Sequence, residues 1–365
     1  MPRFPWDALA PHHKRALAHP GGIVDLSVGT PVDPVPLPVR EALALAADSP
    51  GYPATAGTRE LREAASGWLA RRHGVTVESD AVLPVIGTKE LVAWLPTLLG
   101  CGPGDVVAHP ALAYPTYDAG ARLAAARPVA ADGLVALGPG RVRLAWLNSP
   151  SNPTGQVLPA EHLRKVVRWA RERGTLVASD ECYIEFGFEA APVSVLHPDV
   201  CDGSHRGLLA VHSLSKRSNM AGYRGGFVTG DPDLVAQLLE IRKHAGMMVP
   251  APVQAAMTAA LADDGHADAQ RERYARRRAV LRPAVEAAGW TVSHSQAGLY
   301  LWAAHPGRDC WESVRVLAEA GILVAPGEFY GRAGARHIRL ALTATDERIA
   351  AAAARLETLS RPGSA

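Results

Sequence analysis

The sequence has few cysteines and no pairing pattern among them, and this absence argues against two kinds of protein. Its four cysteines, Cys101, Cys182, Cys201 and Cys310, include no Cys-x-x-Cys spacing, so we expect neither a disulfide framework nor a zinc cluster. The fourteen histidines show no His-x-x-x-His or His-Glu-x-x-His arrangement, and we therefore expect no metal site. Scattered, unpaired cysteines fit a reducing compartment and predict a cytoplasmic protein.

Long apolar runs and an excess of one charge are also missing. The longest apolar stretch, residues 91–101, is interrupted by Pro96 and is too short to span a bilayer. The N-terminus lacks a charged segment followed by an apolar one, so we expect neither export nor a membrane partner. The net charge is only +2, with basic and acidic residues interspersed, which argues against a nucleic-acid partner.

The periodicity of the chain predicts an α/β fold. The first forty residues are rich in Pro and Gly and are expected to form an extended arm. From residue 40 onward, helix-length segments separate short β-rich segments, which predicts parallel βαβ units. The predicted strands lie at residues 81–86, 105–108, 142–147, 176–179, 208–211 and 226–229.

The C-terminal part of the chain predicts a second, smaller α/β unit. A long helix is expected at 271–288, a strand pair at 291–293 and 298–303, a helix at 311–320 and a strand at 337–342. We therefore expect an N-terminal arm at 1–38 that packs with the small domain, a large domain at 39–270 and a small domain at 271–365.

Four polar motifs follow predicted strands in the order expected for one ligand pocket, since open α/β sheets bind ligands at the carboxyl ends of their strands. They are Gly-Thr-Lys-Glu at 87–90, Asn-Pro-Thr-Gly at 152–155, Asp-Glu-Cys-Tyr at 180–183 and His-Ser-Leu-Ser-Lys at 212–216, the last followed by Arg224. Each motif alone has a structural explanation, such as a helix cap, a turn or a packed tyrosine. Together they supply the groups that hold pyridoxal phosphate and support its chemistry.

The side chains divide by the part of that cofactor they suit. The free amides of Thr88 and Lys89 at a helix start, together with Ser213, Ser215 and Arg224, suit a phosphate. A carboxylate at Asp180 would keep the pyridine nitrogen protonated, and Asn152 and Tyr183 are natural donors to the ring's 3-oxygen.

Two further residues have open alternatives. Tyr114 could stack on the cofactor ring, although a buried core aromatic is the commoner role. Arg339 alternates with apolar neighbours on a predicted strand, where a cation is costly unless it meets an anion. That anion could be a substrate α-carboxylate or an acidic side chain.

With these motifs the chain resembles fold-type-I pyridoxal-phosphate enzymes of the class I/II aminotransferase family, from about residue 25 to residue 345. The resemblance implies a large domain with a mostly parallel seven-stranded sheet between helices, and a smaller α/β C-terminal domain. It implies that Lys216 binds the cofactor covalently and acts as the catalytic base, assisted by Asp180 and Tyr183. It also implies that Arg339, Asn152 and the backbone at Gly29 bind the substrate carboxylate.

The same resemblance implies a homodimer with shared active sites. Tyr52, in Gly-Tyr-Pro-Ala-Thr-Ala-Gly-Thr at 51–58, matches a tyrosine that family members extend to the partner's phosphate. The N-terminal arm is then expected to pack on the partner as well as on the small domain.

Within the family the chain is most similar to actinobacterial N-succinyldiaminopimelate aminotransferases. The runs that carry this similarity lie at residues 25–34, 215–224, 242–254 and 324–331. The implied reaction moves an amino group between N-succinyl-LL-2,6-diaminopimelate and 2-oxoglutarate, as part of lysine and diaminopimelate biosynthesis. Both substrates carry a distal carboxylate, so we expect one more cation in the pocket, with Lys89, Arg217 and Arg242 as candidates.

Other outcomes of the same cofactor chemistry stay open at this point. The cofactor residues do not separate this activity from aminotransfer on aromatic amino acids, aspartate or acetylornithine, nor from a β-eliminating C–S lyase. A pyridoxal-phosphate-responsive transcription factor should carry a basic DNA-binding domain ahead of this unit, and only about forty residues precede it here.

Overall fold

Helices and short strands alternate along the chain, as the sequence pattern predicts. The structure is a computed structural model and describes residues 5–137 and 141–359. Its strands are β1 Val24–Asp25, β2 Val82–Ile86, β3 Val106–His109, β4 Arg127–Ala130, β5 Val142–Asn148, β6 Leu176–Asp180, β7 Leu208–Ser213, β8 Gly225–Gly230, β9 Thr291–Ser293, β10 Tyr300–Ala304, β11 Ile322–Leu323, β12 Ala325–Pro326 and β13 His337–Ala341. Its α-helices are α1 Ala10–Leu17, α2 Leu37–Leu45, α3 Arg59–His73, α4 Thr88–Leu98, α5 Thr116–Leu123, α6 Ala160–Arg173, α7 Pro198–Cys201, α8 Leu214–Arg217, α9 Pro232–Ala245, α10 Ala251–Ala262, α11 Gly265–Ala287, α12 Cys310–Glu319 and α13 Asp346–Leu359.

A seven-stranded sheet forms the centre of the large domain, in the order β2-β8-β7-β6-β5-β3-β4. Strand β8 runs antiparallel to both of its neighbours, and the remaining pairs are parallel. The predicted mostly parallel sheet is therefore confirmed, and the six predicted strands match β2, β3 and β5–β8 to within two residues at each end.

Helices cover both faces of this sheet because its strand residues alternate between two apolar cores. On β7, Leu208 and Ala210 face one core, whereas Leu209 and Val211 face the other. The first core also contains residues of α2, α3, α6 and α10, and the second contains residues of α4, α5 and α9. Alternate side chains of a strand point to opposite faces of the sheet. Because both sets are apolar here, both faces of the sheet are buried.

A four-stranded antiparallel sheet forms the smaller C-terminal domain, in the order β12-β13-β10-β9. Helices α11 and α13 pack against each other beside it, and α12 packs against β11–β13. The predicted long helix is present but begins at Gly265, so α11 spans the expected domain boundary between residues 270 and 271.

The N-terminal segment is partly helical, where the sequence predicted an extended arm. Helix α1 packs on α12, and β1 pairs in parallel with β11. Pro11 does not prevent the helix because it lies in the first turn, where its missing N–H has no helical partner. Residues 1–4 of the expected arm and 360–365 of the expected small domain lie outside the described residues.

No helix within residues 5–137 and 141–359 is long and apolar enough to cross a membrane.

Candidate active site

A cavity of about 1140 Å³ opens at the carboxyl ends of the parallel strands, and both domains contribute to its lining. It brings together all but one of the predicted site residues, namely Gly29, Thr88, Lys89, Tyr114, Asn152, Asp180, Tyr183, Ser213, Ser215, Lys216, Arg224 and Arg339. Tyr52 is the exception, since its side chain is 99% exposed and does not line the cavity.

Lys216 lies on α8, the short helix that follows β7. Its Nζ donates a hydrogen bond to the carbonyl of Gly29. Burial in the cavity floor lowers the pKa of Lys216 to about 8, and the nearby cations Arg339 and Arg224 also lower it. A larger fraction of this amine is therefore neutral near pH 7 than for a solvated lysine, as a nucleophile or general base requires.

Asp180 ends β6 as a buried carboxylate. One carboxylate oxygen accepts a hydrogen bond from the Tyr117 hydroxyl at 2.7 Å, and the other accepts from the Cys182 amide at 3.2 Å. Burial raises the pKa of Asp180, although these hydrogen bonds oppose the rise. None of the ion pairs in the described ranges involves Asp180, so a cationic ligand atom would find a desolvated carboxylate ready to pair with it.

Tyr117 was not singled out from the sequence. It lies in the same Ala-Tyr-Pro-Thr-Tyr run as Tyr114, is fully buried and contributes to the lining of the cavity. Its hydrogen bond to Asp180 joins residues 63 positions apart, and no local spacing signals such a contact. Tyr114 lines the cavity, with its ring 6.2 Å from that of Tyr117.

An anion cradle forms where α4 begins. Gly87 precedes the helix with a φ of 73°, and a Cβ at this position would overlap the Arg224 guanidinium. Thr88 opens the helix, whose first amides lack helical partners. Ser213 and Ser215 enter from the end of β7, where the Ser213 hydroxyl accepts from the Ser215 amide at 3.2 Å. A helix N-terminus beside an arginine and hydroxyl groups is suited to a phosphate.

Arg339 reaches the cavity from β13 of the small domain and is only 3% exposed. It donates to Asn152 Oδ1 at 2.9 Å and to the Ser27 carbonyl at 2.7 Å, while its Nε is buried without a partner. The structural ion pair considered above does not occur, since no described acidic side chain forms a salt bridge with Arg339. A buried guanidinium that has an unused N–H donor and no acidic partner among the described residues is suited to binding a ligand's carboxylate.

Tyr183 is buried near Arg339, and its hydroxyl lies 3.0 Å from that of Tyr300. Burial raises the pKa of Tyr183 well above its ordinary value, so the phenol keeps its proton and can donate a hydrogen bond. Tyr300 lines the cavity too, although no sequence motif indicated it.

Two of the three residues considered for binding the substrate's distal carboxylate form ion pairs with acidic side chains outside the cavity. Arg217 forms a buried ion pair with Glu185, and Arg242 pairs with Glu90 at 3.0 Å. Neither lines the cavity, whereas Lys89 does, and so does Arg332, which the sequence did not suggest. The described ranges contain no group of three or more His, Cys, Asp or Glu side chains that could hold a metal ion.

The chain matches known proteins over nearly its whole length. The sequence profile of class I and II aminotransferases matches residues 22–356. The chain is 66% identical over 357 residues to a probable aminotransferase of Mycobacterium tuberculosis, covering 98% of this chain and 85% of the relative. It is 62% identical over 356 residues to 4-dedimethylamino-4-oxo-anhydrotetracycline transaminase OxyQ of Streptomyces rimosus, covering 98% and 99%.

A solved structure has the same fold. It is that of a probable N-succinyldiaminopimelate aminotransferase from Thermus thermophilus, with a TM-score of 0.89 and 28% identity over 98% of this chain and 100% of that one.

Pyridoxal 5′-phosphate is the cofactor of this family, and the residues present fit it. The cavity offers a partly neutral lysine amine, a buried carboxylate without a cation, and a helix terminus whose glycine leaves room for an arginine. The buried guanidinium leaves a donor for a substrate carboxylate. By fold, by site and by the extent of these matches, the chain belongs to the class I and II aminotransferase family.

Proposed function

We propose that the protein transfers an amino group between N-succinyl-LL-2,6-diaminopimelate and 2-oxoglutarate, with glutamate as the product of the second half-reaction. The observation that carries the transaminase chemistry is the convergence of Lys216, Asp180 and Arg339 in one cavity. The sequence runs noted above and the similarity to the Thermus thermophilus structure support the choice of substrate.

The mechanism divides the work among these residues. When bound, pyridoxal phosphate supplies an electron-accepting ring. Arg339 binds the α-carboxylate and thereby orients the Cα–H bond toward Lys216. Lys216 Nζ would remove that proton as a general base and deliver it to the cofactor carbon bonded to the amino nitrogen. Water would then release the donor as a 2-oxo acid, and the nitrogen would remain on the cofactor for transfer to 2-oxoglutarate. The buried carboxylate of Asp180 would balance the positive charge of the cofactor's protonated ring nitrogen. Tyr183 would donate a hydrogen bond to the cofactor's ring oxygen.

A second candidate is the amination of a bulky polycyclic ketone. The relative OxyQ is named for the substrate 4-dedimethylamino-4-oxo-anhydrotetracycline and shares 62% identity with the chain. The cavity is large, and its lining includes several aromatic side chains, among them Trp6, Tyr114, Phe329 and Tyr330. Flat apolar surfaces of this kind suit fused rings as well as a succinylated chain.

A substrate panel separates these functions. Purified holoenzyme is given succinyldiaminopimelate, acetylornithine, aspartate or phenylalanine with 2-oxoglutarate, and kcat/KM is measured through glutamate formation. We expect succinyldiaminopimelate to exceed acetylornithine and phenylalanine by at least about tenfold, since these donors have a single carboxylate and lack the charge-assisted contact of a second one. Faster amination of 4-dedimethylamino-4-oxo-anhydrotetracycline from glutamate would favour the second candidate. Pyruvate release from an S-substituted cysteine without 2-oxoglutarate would indicate a lyase.

We also propose that the active protein is a homodimer with shared sites. Tyr52 projects fully into solvent, and Leu45 nearby is 88% exposed. Exposed aliphatic residues also occur at Val28, Val32 and Leu37. Apolar side chains so concentrated in one stretch of sequence favour coverage by a second copy of the chain.

Mixing two defective variants tests the shared site. Lys216→Ala removes the reactive amine from its own chain, and Tyr52→Ala removes the residue expected to serve the partner's phosphate. After the two are unfolded and refolded together, about one quarter of the sites should contain both native residues, and activity should return in that proportion. Refolded mixtures that stay as inactive as the separate variants would contradict the shared site.

A further inference from the structure

Tyr300 contacts both Tyr183 and Arg339, the residues proposed to bind the cofactor's ring oxygen and the substrate carboxylate. No sequence motif points to Tyr300. It begins β10 and is buried. Its hydroxyl lies 3.0 Å from the Tyr183 hydroxyl, and the centre of its ring lies 3.9 Å from Arg339 Cζ. A Cβ at Gly29 would overlap the Tyr300 hydroxyl, so the glycine leaves the space that this phenol occupies.

We propose that Tyr300 is a positioning residue that makes Tyr183 a directed hydrogen-bond donor and holds Arg339 in the plane that receives the substrate carboxylate. The inference rests on the roles proposed above for Tyr183 and Arg339. It assigns to one side chain the alignment of the groups that bind the cofactor's ring oxygen and the substrate.

The count of protons gives the direction of the hydrogen bond. Each phenol has one proton to donate. When Tyr183 donates its proton to the cofactor's ring oxygen, it has none left for Tyr300, so Tyr300 must donate to Tyr183. A hydroxyl that accepts one hydrogen bond is polarised and becomes a stronger donor in the next.

The ring of Tyr300 acts on Arg339 in a different way. The guanidinium lies over this ring and 4.9 Å from the centre of the Tyr330 ring. Its bonds to Asn152 and to Ser27 fix two of its nitrogens. Cation–π contact is strongest where water is excluded, so the aromatic faces hold the plane in which the remaining N–H donors can meet a carboxylate.

The hydroxyl is tested by titrating the visible absorbance of the holoenzyme against pH in Tyr300→Phe, Tyr183→Phe and the double variant. A donor to the ring oxygen stabilises the deprotonated form of the bound chromophore, so weakening that donor raises the chromophore's pKa. We expect a rise of roughly 1 to 2 pH units in Tyr183→Phe. In Tyr300→Phe we expect roughly half a pH unit. The double variant should match Tyr183→Phe, because Tyr300 acts through Tyr183.

The outcomes separate the inference from the function on which it rests. An unchanged titration in Tyr183→Phe contradicts the proposed role of Tyr183 itself. Two outcomes overturn the inference alone. In the first, the chromophore's pKa rises in Tyr183→Phe as expected but does not change in Tyr300→Phe. In the second, the two rises add in the double variant. Tyr274→Phe is the matched control, since it removes the hydroxyl of another buried tyrosine that does not line the cavity, and its titration should equal that of the native protein.

The ring is tested by the affinity of the holoenzyme for glutarate, an unreactive analogue of 2-oxoglutarate. Tyr300→Phe keeps the aromatic face and should bind glutarate within about twofold of the native protein. Tyr300→Leu removes that face and should bind roughly tenfold more weakly. Equal affinities in Tyr300→Leu and the native protein, with near-ultraviolet circular dichroism retained, would show that the ring does not position Arg339.

Discussion

Replacing Lys216 by alanine is expected to lower the turnover number for transamination by at least about 10⁴-fold, because we propose that the amine at this position is both nucleophile and general base. Its position on α8, its bond to the Gly29 carbonyl and its pKa of about 8 all suit that double role. The turnover number is measured with donor and 2-oxoglutarate at saturation, and borohydride reduction of the holoenzyme followed by peptide mapping identifies the residue bound to the cofactor.

Lys89 provides a control within the same cavity. Reduction of Lys89→Ala should still label Lys216, whereas reduction of Lys216→Ala should label no cavity lysine. Labelling of Lys89 in the native protein, or full turnover in Lys216→Ala, would contradict the assignment.

The second large effect is expected for Asp180→Asn, which should lower the turnover number by at least about 10³-fold. The amide has nearly the same shape but no charge to balance a protonated ring nitrogen, and charge stabilisation in a desolvated site is a major term in catalysis. The measurement is again kcat at saturating substrate, with cofactor content determined from absorbance.

The thermal stability of the cofactor-free protein should not fall with the turnover number in Asp180→Asn. Burial raises the pKa of Asp180, so ionising this carboxyl at neutral pH disfavours the folded state when no cation is bound. The cofactor-free Asp180→Asn variant should therefore unfold at the same temperature as the native protein or at a higher one. A large fall in its melting temperature would mean that lost turnover reflects damage to the fold.

Glu181→Gln is the matched control for Asp180→Asn. Glu181 is the next residue, is also a buried carboxyl, and accepts from the Val195 amide at 2.8 Å instead of lining the cavity. Its substitution should leave kcat within a few-fold of the native value. Equal losses in the two variants would remove the argument for a special role of Asp180.

Sequence reasoning found the parts of the site that depend on local pattern. Asp180 and Ser213 end apolar strands, and Thr88 opens a helix directly after one, so strand period and motif order place them at one edge of the sheet. Strand β4 was missed because its residues are exposed or half-buried and therefore show no apolar alternation.

Residues defined by contact through space were beyond such reasoning. Tyr300 acts on a partner 117 residues away, and a buried tyrosine looks the same in sequence whether or not its hydroxyl has a role. Arg217 and Arg242 illustrate the opposite error. They were candidates because they are basic, but Glu185 and Glu90 neutralise them, and the latter lies 152 residues from its partner.

Arg339 hydrogen-bonds to Asn152 of the large domain and to Ser27 near the N-terminus, at sequence separations of 187 and 312 residues. A carboxylate bound by this guanidinium would therefore contact an arginine that two remote stretches of chain hold in place. Under the proposed role of Arg339, an amine without a carboxylate would lack this contact and would react more slowly, since remote binding energy is what aligns the reacting bond. If Arg339 binds the α-carboxylate as proposed, a preference for amino acids over simple amines would follow from the position of this arginine between the two domains.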